Sequence, residues 1–296
     1  MTAKILDGKA VSQHMRVELA AQVAALRSKG IIPGLGVLLA GDNPASRAYV
    51  TAKERACGEL GIYSSEVRLP ASASRAEVLD TVRAFNRDSR VHGILVQLPL
   101  PDASMEREVL ETVDPAKDVD GFHPVNVGRA DLGLPAFLPC TPHGILQLLR
   151  RSGIAVAGMH AVVIGRSHIV GRPLANLLSQ KREGGNATVT LCHTATRNLA
   201  EHTRRADLVV AAAGRPDTVR ADMIRDGAVV VDVGMNRVPD SAAPKGCRLV
   251  GDVAFDEVRA KASWITPVPG GVGPMTITML LFNTVAAARG GPAEGG

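Results

Sequence analysis

Tyr49 and Lys53 stand four residues apart in Tyr49-Val-Thr-Ala-Lys53, so on a helix a phenol and an amine project from one face. A phenol can orient an amine, and burial can bring a lysine into the range useful for acid–base work. The same spacing also occurs on surface helices, where the lysine stem lies along the ring and its head stays in water. Gln97 ends the apolar run Gly93-Ile-Leu-Val-Gln97, and the carboxyl ends of parallel strands are where ligands bind in α/β folds. It could equally satisfy loop backbone. Asp118 and Asp120 crowd two carboxylates into the turn Lys117-Asp-Val-Asp-Gly121. The third acid and the distal Glu of a calcium loop are missing there. An Asp-Gly pair commonly just makes a turn, but a carboxylate in a cleft can also accept two hydrogen bonds from the amidine-like edge of a heterocycle.

A second kind of chemistry is written in Ala161-Val-Val-Ile-Gly165-Arg-Ser-His-Ile-Val-Gly171-Arg-Pro173. A buried strand, a glycine turn and a helix beginning near Val170 make a cradle for a phosphate, which the helix N-terminus and a closely approaching backbone can hold. The middle glycine of the usual dinucleotide fingerprint is absent, and Arg166 and Ser167 follow Gly165 instead. The next strand, ending at Cys192, leads into His193-Thr-Ala-Thr-Arg197 with no acid to bind a ribose 2′-hydroxyl. Arg166, Thr194 and Arg197 are donors suited to a 2′-phosphate, which favours NADP over NAD; a plain surface arginine in a connecting turn is the simpler alternative.

Positioning these residues takes a particular order of elements. Apolar positions at helical spacing cover 10–29, ending at Gly30, and further helices are read over 45–60 and 74–88. Strands are read over 34–40, 63–69 and 93–98. Roughly 113–140 reads as polar connection, and a helix follows from Thr141 with Pro142 at its first position. Strands near 160–164, 187–191, 207–212 and 228–232 alternate with helical segments, Leu249-Val250 reads as a sixth short strand, and a last helix spans about 275–289. Residues 290–296 read as a disordered tail. This alternation predicts two α/β domains with a cleft between them, each built on a parallel sheet, the second a Rossmann-type dinucleotide-binding domain.

Bulk composition narrows the function classes. Two domains of ordinary size fit in 296 residues, and 46% hydrophobic with 21% charged content is that of a globular protein. With 3% aromatics the chain lacks the exposed rings of a single-strand nucleic-acid platform. The net charge of +5 is scattered, so no basic patch points to nucleic acid. Cys57, Cys140, Cys192 and Cys247 lie far apart without zinc spacing, which predicts reduced thiols and no metal. Neither a leader-like apolar segment nor a membrane-length one is seen, so a cytoplasmic protein is expected, with no membrane partner.

Together the motifs resemble one family. Tyr49-Val-x-x-Lys53, Gln97-Leu-Pro-Leu-Pro101, Lys117-Asp-Val-Asp-Gly121, Gly165-Arg-Ser-x-x-Val-Gly-x-Pro173, Asp232-Val-Gly-Met-Asn236 and Pro267-Val-Pro-Gly-Gly-Val-Gly-Pro-Met-Thr276 occur in this order. The chain resembles the bifunctional methylenetetrahydrofolate dehydrogenase/methenyltetrahydrofolate cyclohydrolases of the FolD type over about Lys4 to Ala288. The same Tyr-x-x-x-Lys pair occurs in short-chain dehydrogenases, but there it follows the glycine turn, whereas here it precedes it.

The resemblance implies oxidation of 5,10-methylenetetrahydrofolate with NADP, then hydrolysis of the methenyl product to 10-formyltetrahydrofolate. It implies an acid–base or electrostatic role for Lys53, a folate site shaped by Tyr49, tuning of Lys53 by Gln97, and Asp120 on the pterin edge. Leu98, Pro269, Gly270 and Gly271 complete the implied folate site. Gly165, Arg166, Ser167, Thr194 and Met235 are the implied cofactor residues; the family often has Ser at Thr194 and Ile at Met235. A folate-binding catalytic domain of 1–140 plus 276–296, a nucleotide domain of 141–275, and a homodimer formed through the nucleotide domains are implied as well.

Overall fold

The computed structural model describes residues 2–241 and 246–292. In chain order the first elements are β1 (Lys4–Ile5), α1 (Gly8–Arg27), β2 (Gly34–Ala40), α2 (Pro44–Leu60), β3 (Tyr63–Leu69), α3 (Arg75–Arg87) and β4 (Gly93–Val96). There follow α4 (Glu106–Thr112), α5 (Pro124–Asp131), α6 (Cys140–Arg151), β5 (His160–Ile164), α7 (Gly171–Ser179), β6 (Thr188–Cys192) and α8 (Leu199–Thr203). The rest are β7 (Leu208–Ala211), β8 (Val229–Asp232), β9 (Asn236–Pro239), β10 (Cys247–Val250), α9 (Phe255–Arg259), β11 (Trp264–Ile265) and α10 (Val272–Ala288).

The chain forms two compact units, one of His14–Cys140 with Ile277–Gly296 and the other of Met1–Gln13 with Thr141–Thr276. The first unit holds a parallel three-stranded sheet in the order β3-β2-β4. Strands β2 and β4 are buried at every residue, so they read as unbroken apolar runs. Val78, Val82 and Phe85 of α3 pack on this sheet beside Leu38, Ile94 and Val96. Helix α3 starts where its sequence dictates: Ser74 Oγ accepts from Glu77 N, and Glu77 reaches back to Ser74 N at 2.7 Å.

The second unit carries a six-stranded, wholly parallel sheet in the order β1-β11-β8-β7-β5-β6. The order reverses at β5, since β6 lies on one side of it and β7 on the other. That reversal creates a crevice beyond the strand ends, where dinucleotides bind. Val162, Val209 and Val230 of adjacent strands form the core with Ile265.

Several expected elements are corrected. Residues 2–13 belong with the nucleotide-type unit, because β1 pairs in parallel with β11 and Leu6 N donates to Ile265 O at 2.8 Å. The stretch 113–140 is not all connection, since α5 lies within it behind an N-cap made by His123. Helix α6 starts at Cys140, which moves Pro142 to its third residue, and α10 starts at Val272 rather than near 275. The short strand read at Leu249-Val250 is β10, which pairs antiparallel with β9 in a separate hairpin outside the large sheet. Of the tail read as disordered, residues 293–296 lie outside the described residues.

Candidate functional site

In the three-stranded unit, Lys53 sits in the buried stripe of α2 with Ser46, Val50 and Cys57, at positions where a helix facing a sheet normally carries apolar residues. It is 7% exposed, so the surface alternative for this lysine does not hold. Lys53 Nζ donates to Gln97 Oε1 at 3.1 Å. Gln97 lies just beyond the carboxyl end of β4, and its Nε2 donates to Leu98 O at 2.8 Å. That second bond fixes which way the amide points, so the oxygen faces the amine. Tyr49, one turn before Lys53, is half-buried, and desolvation raises its phenol above the ordinary value.

The turn with two carboxylates is carried along the edge of β4. Ile94 N donates to Lys117 O at 2.7 Å, and Ile94 bridges in parallel to Asp118. Gly121 ends the turn at φ +70°, where a Cβ would lie 2.6 Å from the Phe137 carbonyl oxygen, so glycine is required twice over. The two acids then diverge. Asp118 is buried and accepts from Phe122 N, His123 N and Asn126 Nδ2, which makes it the brace of the turn. Asp120 takes no backbone donor among the described residues. Desolvation pushes its carboxyl up to about 6, while the Lys53 charge acts in the opposite direction and Asp118 adds to the rise. Lys53, Gln97 and Asp120 are thus brought to one end of one small sheet, with Tyr49 on the same helix as Lys53.

Asn283 of α10 was not singled out by sequence reasoning. Its Nδ2 donates to Val119 O at 2.8 Å and Leu138 O at 3.1 Å, holding the residue before Asp120. A buried Asn in an otherwise apolar helix was the available signal.

The other unit presents a different surface. Gly165 follows β5 at φ +119°, and a Cβ there would lie 2.1 Å from Ala212 O. At Gly171 a Cβ would lie 1.9 Å from Gly165 O, so turn and helix pack as closely as a glycine fingerprint demands. Ser167 Oγ accepts from Val170 N at 3.2 Å and Gly171 N at 3.4 Å, which ties the turn to the start of α7. Its hydroxyl proton remains available to a ligand. The backbone N–H groups of Arg166, Ser167, His168 and Ile169 have no partner among the described residues. Four such donors at the end of a central strand suit an anion, so this chain's own backbone fits the phosphates of a dinucleotide.

Gly165 N donates to Cys192 O at 2.8 Å, which sets the turn beside His193 and Thr194 at the end of β6. Arg166, Thr194 and Arg197 are all exposed there, and no carboxylate follows β6. Met235, after β8, is 40% exposed, an apolar side chain presented at a strand end. Pro269, Gly270 and Gly271 belong to this unit, unlike the other five residues implied for folate. Two further groups were passed over in the sequence, the buried carboxylates Asp232 and Asp252 beneath these strand ends. Among the described residues, no group of three or more His, Cys, Asp or Glu could hold a metal, and no helix is long and apolar enough to cross a membrane.

Fold and geometry together define an α/β protein that joins a Rossmann-type nucleotide unit to a unit carrying a buried lysine and a carboxyl of raised affinity for protons. Residues 6–120 match the catalytic domain of tetrahydrofolate dehydrogenase/cyclohydrolase, and residues 139–291 match its NAD(P)-binding domain. The chain therefore belongs to the tetrahydrofolate dehydrogenase/cyclohydrolase family. It is 54% identical over 289 residues to the bifunctional protein FolD of Syntrophus aciditrophicus, covering 98% of both chains. It is also similar to the crystal structure of the bifunctional FolD methylenetetrahydrofolate dehydrogenase/cyclohydrolase of Campylobacter jejuni, with 50% identity and a TM-score of 0.91 over 97% of this chain and 99% of that one. The Trypanosoma brucei enzyme, solved with NADP cofactor and an inhibitor, is 41% identical with a TM-score of 0.93 over 98% of each chain.

Proposed function

We propose that this protein oxidises 5,10-methylenetetrahydrofolate to the 5,10-methenyl form with NADP and hydrolyses that product to 10-formyltetrahydrofolate. The observation that carries the reading is the buried Lys53, bonded to Gln97 and flanked by Asp120, in the unit matched by the family's catalytic domain. NADP, when bound, accepts the hydride. Arg166, the donors of the 166–169 turn and Thr194 hold its phosphates, Ser167 adds its hydroxyl, and Met235 borders the nicotinamide half.

The remaining steps belong to side chains. The Asp120 carboxylate accepts from the pterin edge and orients the ring, and Tyr49 and Leu98 shape the pocket around it. Pro269, Gly270 and Gly271 complete the folate site by resemblance. In hydrolysis, water adds to the methenyl carbon and loses a proton; as the bond from that carbon to N5 breaks, the hydroxyl gives up its remaining proton to become the formyl C=O and N5 takes a proton, so one proton is released overall. Lys53 is the amine placed for these transfers, held by Gln97 so that it cannot swing away.

A cytoplasmic homodimer built through the nucleotide units, supplying one-carbon units for purine biosynthesis, is part of the same proposal and rests on family resemblance. Following reduced cofactor and methenyl absorbance separately, with NADP and then NAD, tests the reading. We expect faster reduction with NADP and transient methenyl product; no reduction with either nucleotide would remove the dehydrogenase assignment.

A further inference from the structure

Asp252 is fully buried, yet its three side-chain partners, Ala213 N, Gly214 N and Asn236 Nδ2, are all donors from loops at the nucleotide end of the six-stranded sheet. Its Oδ2 accepts from Ala213 N at 2.6 Å and Gly214 N at 2.8 Å, the first residues beyond the Ala212 carbonyl that Gly165 packs against. Its Oδ1 accepts from Asn236 Nδ2 at 2.8 Å. A Cβ on Gly234 would lie 2.2 Å from that same Oδ1, so the backbone carrying Met235 is laid directly on the carboxylate. Asp232 seats Asp252 in turn, accepting from Asp252 N at 2.8 Å, Val253 N at 3.0 Å and Gly234 N at 2.9 Å. Gly251, whose Cβ would overlap Asp232 Oδ2 at 1.7 Å, keeps the two carboxylates this close.

Two consecutive N–H groups converging on one oxygen form the kind of nest that binds anions. Here that nest is filled from inside the protein, so the loop after β7 is fixed before any ligand arrives. We propose that Asp252 is the positioning residue of the nicotinamide half of the nucleotide site. It sets the loop after β7 against the glycine turn and the loop after β8 with Met235 outward. The inference rests on the nucleotide reading above. Asp252 touches no ligand itself; it acts through the two loops it joins.

Its chemistry makes the idea testable. All three partners are donors, and only a carboxylate accepts on both oxygens. With Asp252→Asn, the new amide NH₂ must face either the Ala213/Gly214 pair or the Asn236 amide. Adding Asn236→Asp restores the donor–acceptor match between the two side chains, because the amide at 252 then donates to a carboxylate at 236, at the cost of the bond from Asn236 Nδ2 to Gly251 O at 3.1 Å. NADPH binding to the full-length protein is read by fluorescence titration, beside the thermal midpoint of each variant.

We expect Asp252→Asn to weaken NADPH binding roughly tenfold, as loss of a charge-assisted bond does. The double substitution should recover to within about threefold of the parent. An Asp252→Asn variant that melts earlier but binds NADPH like the parent would overturn the proposal, as would a double variant no better than the single one. If Asp252→Asn does not fold, Asn236→Ala should weaken binding about threefold by removing this arm together with its bond to Gly251 O, and unchanged affinity there would also overturn it. A parent that binds no NADPH sinks the nucleotide reading itself, which separates the two failures.

Discussion

Both units brace loops with saturated buried carboxylates, and the catalytic unit adds one, Asp120, that faces a lysine instead. In the nucleotide unit, Asp252 is saturated by two backbone N–H groups and an amide, and Asp232 by three backbone N–H groups. In the catalytic unit, Asp118 is likewise filled, but Asp120 is left facing Lys53. A carboxylate whose lone pairs are all taken by its own chain can only hold structure. Asp120, whose side-chain hydrogen-bond partner is the Cys140 thiol, keeps its other lone pairs for a ligand at the cost of desolvation. The units differ too in what they show a ligand: side chains from separate elements in one, and backbone N–H groups of a single turn in the other.

The sharpest break of this comparison is Lys53→Met, which keeps the stem and removes the amine. Methenyl hydrolysis should fall at least about 100-fold while folate still binds. Near-normal hydrolysis in that variant would take Lys53 out of the chemistry and make the Lys53–Gln97 pair mere packing. A smaller effect is expected from Arg166→Ala, roughly tenfold weaker NADP binding with NAD nearly unchanged. Equal losses for both nucleotides would mean that the turn reads no 2′-phosphate.

The smallest effect concerns stability. The Asp120 carboxyl, at about 6 in the fold against 3.8 ordinarily, binds its proton more tightly folded than unfolded. Stability it contributes below pH 4 is therefore lost as pH rises through 6. Asp120→Asn should weaken folate binding yet raise the thermal midpoint by about 2–4 °C at pH 7.5, with less gain at pH 5. A lower midpoint at pH 7.5 would show that Asp120 braces the turn as Asp118 does.

Much of this was legible in the chain. Aliphatic runs such as Val229–Asp232 announced buried parallel strands, and the helix read over 74–88 is α3, Arg75–Arg87. The burial of Lys53 was not read, because the i,i+4 pair with Tyr49 suits a surface helix equally well; Val50 and Cys57, flanking it at helical spacing on the core side of α2, were the available signal. The two-residue strands β1 and β11 are too short to show any period, so the N-terminal residues were read with the wrong unit. Asp252 was invisible for a different reason. Its partners are backbone N–H groups, which every residue type offers, so no spacing of side chains records them. Family resemblance, not spacing, brought Asp120 forward from the Asp118 beside it.

The pairing of β1 with β11 also sets a timetable. The nucleotide unit takes its edge strand from Lys4–Ile5 and that strand's neighbour from Trp264–Ile265; even Ser12 and Pro274, joined at 3.4 Å, are 262 residues apart in sequence. At about 5–20 residues per second of synthesis, the leading segment waits on the order of tens of seconds for its partner. During that interval it leaves the ribosome as an unpaired amphipathic piece, while the strands of the small sheet, β2 to β4, are complete far sooner. The catalytic sheet can therefore assemble first, and the nucleotide sheet closes last.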